Sequence, residues 1–278
     1  MRIDLHTHSN RSDGTDTPAE LVRKARQEAD LDVVALTDHD GTFGWDEAQA
    51  EADRVGIRLV KGVEISTRYD GHSVHLLGYE FDAADPDLQG MLEQVRAGRD
   101  ERLPAMLDKL RAEGYEITEA DVAAVSEDAK ASGRPHVADA LVAKYGDVFP
   151  DRTAVFDGWL NEGGRAYVDR YSAPLVEAIT TLKAAGGLAV IAHPWASRSS
   201  RVLDREAFDH LADVGLDGIE VDHHDHDETT RAALRVIATD LDLAVTGSSD
   251  YHGTGKSQAF RLGAHTTDPE QFQRLFER

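Results

Sequence analysis

The sequence predicts an α/β fold: seven short strands closing as a parallel barrel, interrupted by a small helical insert. Three observations carry this. Short apolar, β-branched runs alternate with helical patterns, the sequence sign of βα units. One connection is far longer than the roughly 2 to 6 residues a barrel loop takes. Histidines and carboxylates recur where the strands should end.

The first strand is read at Arg2 to Leu5. The helix after it has a legible start: Thr17 caps, Pro18 fits the first helical position, Glu20 completes a capping box, and Leu21, Val22, Ala25 and Ala29 form the apolar face. Further strands are read at Asp32 to Thr37, Arg58 to Ile65 and Val74 to Gly78. The stretch from Asp85 to Asn161 is rich in Ala, Leu, Glu and Arg at helical spacing, with breaks at Gly114, Gly133 and Pro150. It reads as an insert, residues 85–161, overhanging the strand ends of a barrel built from 1–84 and 162–278. A helix follows Ser172 and Pro174 and stops at Gly186-Gly187. The last strands lie at Leu188 to Ala192, Gly218 to Val221 and Leu243 to Thr246.

Composition narrows the chemistry. With no cysteine in 278 residues, disulfides, iron-sulfur clusters, thiolate zinc sites and cysteine nucleophiles are excluded. A metal must be held by histidine and carboxylate. The net charge of −22 argues against a broad grip on long duplex nucleic acid, because such binding replaces phosphate counterions with Lys and Arg. No segment approaches the roughly 20 apolar residues of a membrane span, and Met1 to Asn10 lacks the features of a secretory signal, so the cytoplasm is the expected compartment.

His6 and His8 end the first strand, Asp38, His39 and Asp40 the second, and Glu64 the third. His75 lies in the fourth, His193 ends the fifth, and Asp250 and His252 follow the last. In a parallel barrel, strand ends converge on one face. The spacing of His6 and His8, like that of Asp250 and His252, puts both side chains on one side of a strand. Any one of these histidines alone is better explained by a structural hydrogen bond, and that reading is kept for His72, His210 and His265. Together, so many polar groups need a compensating partner, which a divalent cation supplies. Imidazole with carboxylate suits Zn, Mn or Fe.

His6-x-His8, Ser12-Asp13-Gly14, Thr37-Asp38-His39, Glu64, His75, His193-Pro194 and Asp250-x-His252 together resemble the motifs of the polymerase and histidinol phosphatase (PHP) superfamily. The resemblance implies a distorted (β/α)7 barrel holding two or three divalent ions. It implies one ion on His6, His8, Glu64 and Asp250, a second on Glu64, His75 and His193, and a third on Asp13, His39 and His252. Asp38 is a candidate catalytic group, or, with Asp40, a partner that fixes an imidazole tautomer. Closely spaced divalent ions assist in-line displacement at phosphorus, so phosphate ester hydrolysis is the expected reaction.

Inside the insert, Ser132-Gly133-Arg134-Pro135-His136 opens a helix with a guanidinium and an imidazole two residues apart. With Gly163-Gly164-Arg165-Ala166-Tyr167-Val168, it resembles the PHP subfamily that removes the 3′-phosphate from nucleoside 3′,5′-bisphosphates, some members of which trim short RNA from the 5′ end. That resemblance places Arg134 and His136 on a substrate phosphate and lets His223 and His226 line the site, with His226 a candidate substrate contact. His224 has no counterpart in it. The expected partner is a small phosphorylated nucleotide, with AMP or phosphate as product, or short RNA. Lys256 and Arg198 are read as ordinary surface cations. The alternatives are a histidinol-phosphate phosphatase, which the insert does not resemble, and a non-catalytic PHP module, against which all nine ligand positions are filled.

Overall fold

The computed structural model describes residues 1–126, 128–196 and 202–277. Arg198 lies outside them. The barrel path runs β1 (Ile3–Asp4), β2 (Val33–Leu36), β3 (Arg58–Tyr69), β4 (His72–Tyr79), β6 (Leu188–Ala192), β7 (Gly218–Asp222), β8 (Ala244–Gly247), the seven strands expected. A two-residue strand, β5 (Ala173–Pro174), pairs with β3 outside this path. The ring is nearly closed by a parallel bridge between Thr7 and Tyr251, where the His8 N–H donates to the Tyr251 carbonyl at 2.8 Å.

One strand departs from the parallel expectation. β4 is antiparallel to both β3 and β6. The cause is local: Asp70 and Gly71, both at positive φ (44° and 79°), form a two-residue turn, too short for the crossover that parallel strands need. β3 therefore does not end at Glu64 but runs on to Tyr69, and Glu64 faces inward from mid-strand. Because β4 enters from the opposite end, His75, opposite Ser66 on β3 and Ala192 on β6, still arrives at the same mouth as the other strand ends.

Alternation along the strands separates two apolar layers. Val33 and Ala35 of β2 and Val190 and Ala192 of β6 face the barrel interior, where Phe272 and Leu275 of α10 (Pro269–Phe276) plug the far end. Val34, Leu36, Ala189 and Ile191 face outward onto helices. Among these is α1 (Pro18–Gln27), opened by the capping box of Thr17 and Glu20. With it pack α2 (Trp45–Val55), α7 (Leu175–Ala184), α8 (Arg205–Val214), α9 (Glu228–Asp240) and, through Leu88, Leu92 and Val95, the start of the long helix that follows β4.

Between β4 and β5 the chain runs through α3 (Pro86–Ala112), α4 (Glu119–Val125), α5 (Arg134–Tyr145) and α6 (Arg152–Val155). The second half of α3 packs with α4, α5 and α6 around Met106, Leu110, Val122, Val137, Leu141 and Val155, a core separate from both barrel layers. Arg152 ties these helices to the barrel: it donates twice to Asp139 of α5 and once, at 3.0 Å, to the carbonyl of Asp13. No helix of the described residues is long and apolar enough to cross a membrane.

Candidate metal centre

Glu64 is the hub. Its carboxylate is 1% exposed and five imidazoles crowd it. His75 Nδ1 and His193 Nε2 lie 2.7 and 3.2 Å from Oε1. His39 Nδ1, His8 Nε2 and His6 Nε2 lie 3.0, 3.1 and 3.3 Å from Oε2. On the other side, Asp250 Oδ1 sits 3.6 and 3.5 Å from the same nitrogens of His6 and His8. The structure thus gathers His6, His8, Glu64 and Asp250 in one group and Glu64, His75 and His193 in another. Asp13, His39 and His252 form a third, which His8 also borders.

Backbone geometry sets this up. His193 and Asp250 hold φ of 28° and 53°, values rare for residues with a Cβ and a form of strain that clusters at functional sites. Gly14 lets the Asp13 loop pass against the first strand end, since a Cβ there would lie 2.3 Å from the His8 carbonyl oxygen.

The donor set fits divalent cations. His6 Nε2 and His8 Nε2 face each other at 3.0 Å, so at most one carries a proton. Glu220 accepts from His6 Nδ1 at 3.1 Å, which leaves Nε2 of a neutral His6 as a bare lone pair turned toward the cluster. Asp13 Oδ1 and His39 Nδ1 are buried against His252 and Glu64, at 3.2 and 3.0 Å, without a well-directed hydrogen bond to either, an arrangement a buried polar group tolerates only at a cost.

Electrostatics divides the histidines. Burial pushes His39 down to about 3 against the pull of Glu64 and Asp13. Burial also takes His252 down to about 4, helped by Lys256 and His8. Both are neutral, as ligands must be. Burial alone would lower His6, but Glu64, Glu220 and Asp250 hold it well above the ordinary imidazole range, so the carboxylates call for a positive charge at Nε2 that either a proton or, in its place, a cation can supply. Burial likewise opposes ionisation of Glu64, yet His75, His39 and His6 hold it well below the ordinary carboxylate range.

Other predicted residues sit elsewhere. Asp38 forms no hydrogen bond to an imidazole among the described residues: its carboxylate accepts from the Ser9 N–H and from the hydroxyls of Ser9 and Ser12 at 2.8, 2.7 and 2.6 Å, bracing the loop that carries Asp13. Asp40 pairs with Arg99 and accepts from Ser66. His136 is buried beside Asp13, and its Nδ1 accepts from the Gly133 N–H at 3.0 Å, so the proton of the neutral ring is on Nε2. Arg134 lies apart from His136, donating to the Leu160 carbonyl at 3.1 Å near the rings of Phe156 and Tyr167. His226 is buried next to His223, with Nδ1 on the Val221 carbonyl at 2.8 Å.

Two residues at the centre escaped the sequence-based assignment, Glu220 and Lys256, the latter bonded to Asp250 rather than lying as an ordinary surface cation, while His223 lines the site as expected. Glu220, fully buried, bonds His6, the His193 N–H and the Ser248 hydroxyl. His223 Nε2 lies 3.3 Å from Asp250 Oδ2, and Lys256 bonds the same oxygen. A glutamate in the middle of an apolar strand was the available signal for the first of these.

A barrel mouth gathering six histidines and three carboxylates around shared oxygens defines a metal-dependent hydrolase. The PHP domain model matches residues 4–155, and the chain belongs to that family. It is 36% identical over 255 residues to a 5′-3′ exoribonuclease of Haemophilus influenzae, covering 90% of each chain. It is 35% identical over 266 residues to a 3′,5′-nucleoside bisphosphate phosphatase of Chromobacterium violaceum, covering 96% of this chain and 92% of that one. A crystal structure from Bifidobacterium adolescentis, assigned as a metal-dependent phosphoesterase, superposes with a TM-score of 0.91 at 37% identity, covering 98% of this chain and 94% of the other.

Proposed function

We propose that this phosphoester hydrolase removes the 3′-phosphate of nucleoside 3′,5′-bisphosphates, with trimming of short RNA from the 5′ end as an accompanying activity, in the cytoplasm. The observation that carries the reading is Glu64, one buried carboxylate shared by five imidazoles. The likeness to a bisphosphate phosphatase and to an exoribonuclease along nearly the whole chain supports the substrate class.

In this reading His6, His8, Glu64 and Asp250 hold one divalent ion, Glu64, His75 and His193 a second, and Asp13, His39 and His252 a third, with Mn, Zn or Fe as the metal. Such ions supply the positive charge that activates water and steadies the oxygens around phosphorus. Glu220 keeps the His6 proton on Nδ1 so that Nε2 stays available. The 85–161 segment acts as a cover over the barrel formed by 1–84 and 162–278. From it, Arg134 brings a planar fork to orient a phosphate, and His136, whose ring bonds the Ser12 backbone beside Asp13, would exchange that bond for a phosphate oxygen. Asp38 acts by bracing the Asp13 loop, and His226 borders the substrate beside His223.

The test is phosphate release by the Mn-loaded protein from adenosine 3′,5′-bisphosphate and from histidinol phosphate. The bisphosphate is the expected substrate by a wide margin. Faster hydrolysis of histidinol phosphate would overturn the assignment.

A further inference from the structure

The two oxygens of Asp250 have different surroundings. Oδ1 sits 3.6 and 3.5 Å from Nε2 of His6 and His8, within the histidine cluster. Oδ2 meets two donors instead, the Lys256 ammonium and His223 Nε2, the latter at 3.3 Å. The His223 ring is set for this: its Nδ1 accepts from the Asp225 N–H at 3.2 Å, so the proton of the neutral ring is on Nε2. Phe260 backs both donors, its ring centroid lying 4.7 Å from Lys256 Nζ and 5.9 Å from the His223 ring. Lys256 pairs with no other carboxylate among the described residues.

The backbone that delivers Lys256 is closely seated. It leaves a single 3-10 turn, Gly253–Gly255, directly after His252. Gly253 holds φ of 65°, and a Cβ there would run into the Thr15 hydroxyl, the group to which the Thr254 N–H donates at 2.9 Å. A Cβ on Gly255 would meet the guanidinium of Arg152, the same cover residue that donates to the Asp13 carbonyl. The two glycines thus let the turn lie against the first strand-end loop and against the cover, and both fix where Lys256 starts. A lysine merely solvated on a surface needs no such seat. Charge-assisted contacts on one oxygen also hold a carboxylate in one orientation, which fixes the oxygen it offers to a metal.

We propose that Lys256 is a positioning residue: together with His223 it occupies Oδ2 of Asp250, so that Asp250 meets a metal ion through Oδ1 alone. The inference rests on the reading of Asp250 as a metal ligand and deepens it into a choice of metal. A large ion such as Ca readily takes a carboxylate through both oxygens and tolerates a crowded shell, whereas smaller ions accept a single oxygen in a tighter one. Lys256 therefore works against a large cation at this position and leaves Oδ1 to an ion of the size of Mn or Zn.

The test is metal binding by the full chain, stripped with a chelator and titrated separately with Ca and with Mn in the absence of substrate. Wild type is compared with Lys256→Met and Lys256→Arg. In Lys256→Met, which keeps the length of the side chain but not its charge, affinity for Ca relative to Mn should rise about tenfold, the worth of one charge-assisted hydrogen bond. Lys256→Arg keeps a cation on Oδ2 and should hold the wild-type ratio. With 32% of the Lys256 side chain exposed, both variants should fold, which circular dichroism checks. An unchanged ratio in Lys256→Met, or the same shift in Lys256→Arg as in Lys256→Met, would overturn the proposal, because the charge on Oδ2 would then not set the metal. Asp250→Asn tests the reading beneath it: Mn binding should weaken strongly, and unaltered binding would remove Asp250 as a ligand and the proposal with it. If the wild type fails to hydrolyse adenosine 3′,5′-bisphosphate while the Ca to Mn ratio shifts as expected, the nucleotide reading fails and the role of Lys256 stands.

Discussion

Replacing Glu64 with Gln should abolish metal retention and phosphatase activity in one step, with activity falling by about a thousandfold or more, since several kcal/mol of charge stabilisation would be lost with the ions. The two oxygens of this carboxylate serve different imidazoles: Oε1 faces His75 and His193, Oε2 faces His6, His8 and His39. Gln keeps the shape but replaces one oxygen by an amide that can only donate, so at least one of the two groups loses its shared acceptor and the negative charge is lost from both. The protein should remain folded by circular dichroism, because removing a charge from among groups that desolvation already penalises does not remove apolar packing. Metal content measured on the same sample decides the matter: a Glu64→Gln protein that keeps its metal and its rate would remove the hub from the account.

Arg134→Ala should act differently. Metal content should stay at the wild-type level, because Arg134 lies among Leu160, Phe156 and Tyr167 rather than among the imidazoles. KM for a nucleoside bisphosphate should rise about 10- to 100-fold with a smaller change in kcat, the pattern of a lost contact that holds substrate and transition state alike. Steady-state kinetics on two substrates checks this. If KM is unchanged, the cover does not grip the substrate through this residue.

Much of the fold was readable because local and global signals agree. The Thr17–Glu20 box, the buried strand runs and the overlong connection each have a single good structural solution. The reversed strand was less readable. Asp70-Gly71 was the turn signal, but the two runs flanking it are apolar enough to look like ordinary parallel strands. The histidines and carboxylates of the centre stood out because polar residues at strand ends violate the surrounding apolar pattern, and violations of that kind mark function. Glu220 was signalled only by its place within an apolar strand run, while its position under His6 is set by the tertiary structure. The arginines of α3 were hidden for a similar reason. Arg99 and Arg102, three residues apart on one helical face, read like the usual solvated side of a helix until the tertiary structure buries that face.

The charge also changes meaning. The 52 acidic side chains make the chain strongly anionic as a whole, yet Arg11, Arg96, Arg99, Lys130 and His136 line a small cavity against Asp13 and His39, and Arg102 and Arg170 gather further into the cover. A cationic recess within an anionic exterior favours a small phosphorylated ligand over a long polyanion, which the outer surface repels.

The most direct test of the central claim is metal content per chain measured beside phosphate release from adenosine 3′,5′-bisphosphate, on protein stripped by a strong chelator and then titrated with Mn. The account predicts no activity in the stripped protein and recovery that tracks bound Mn up to two or three ions per chain. Undiminished hydrolysis by metal-free protein would contradict it.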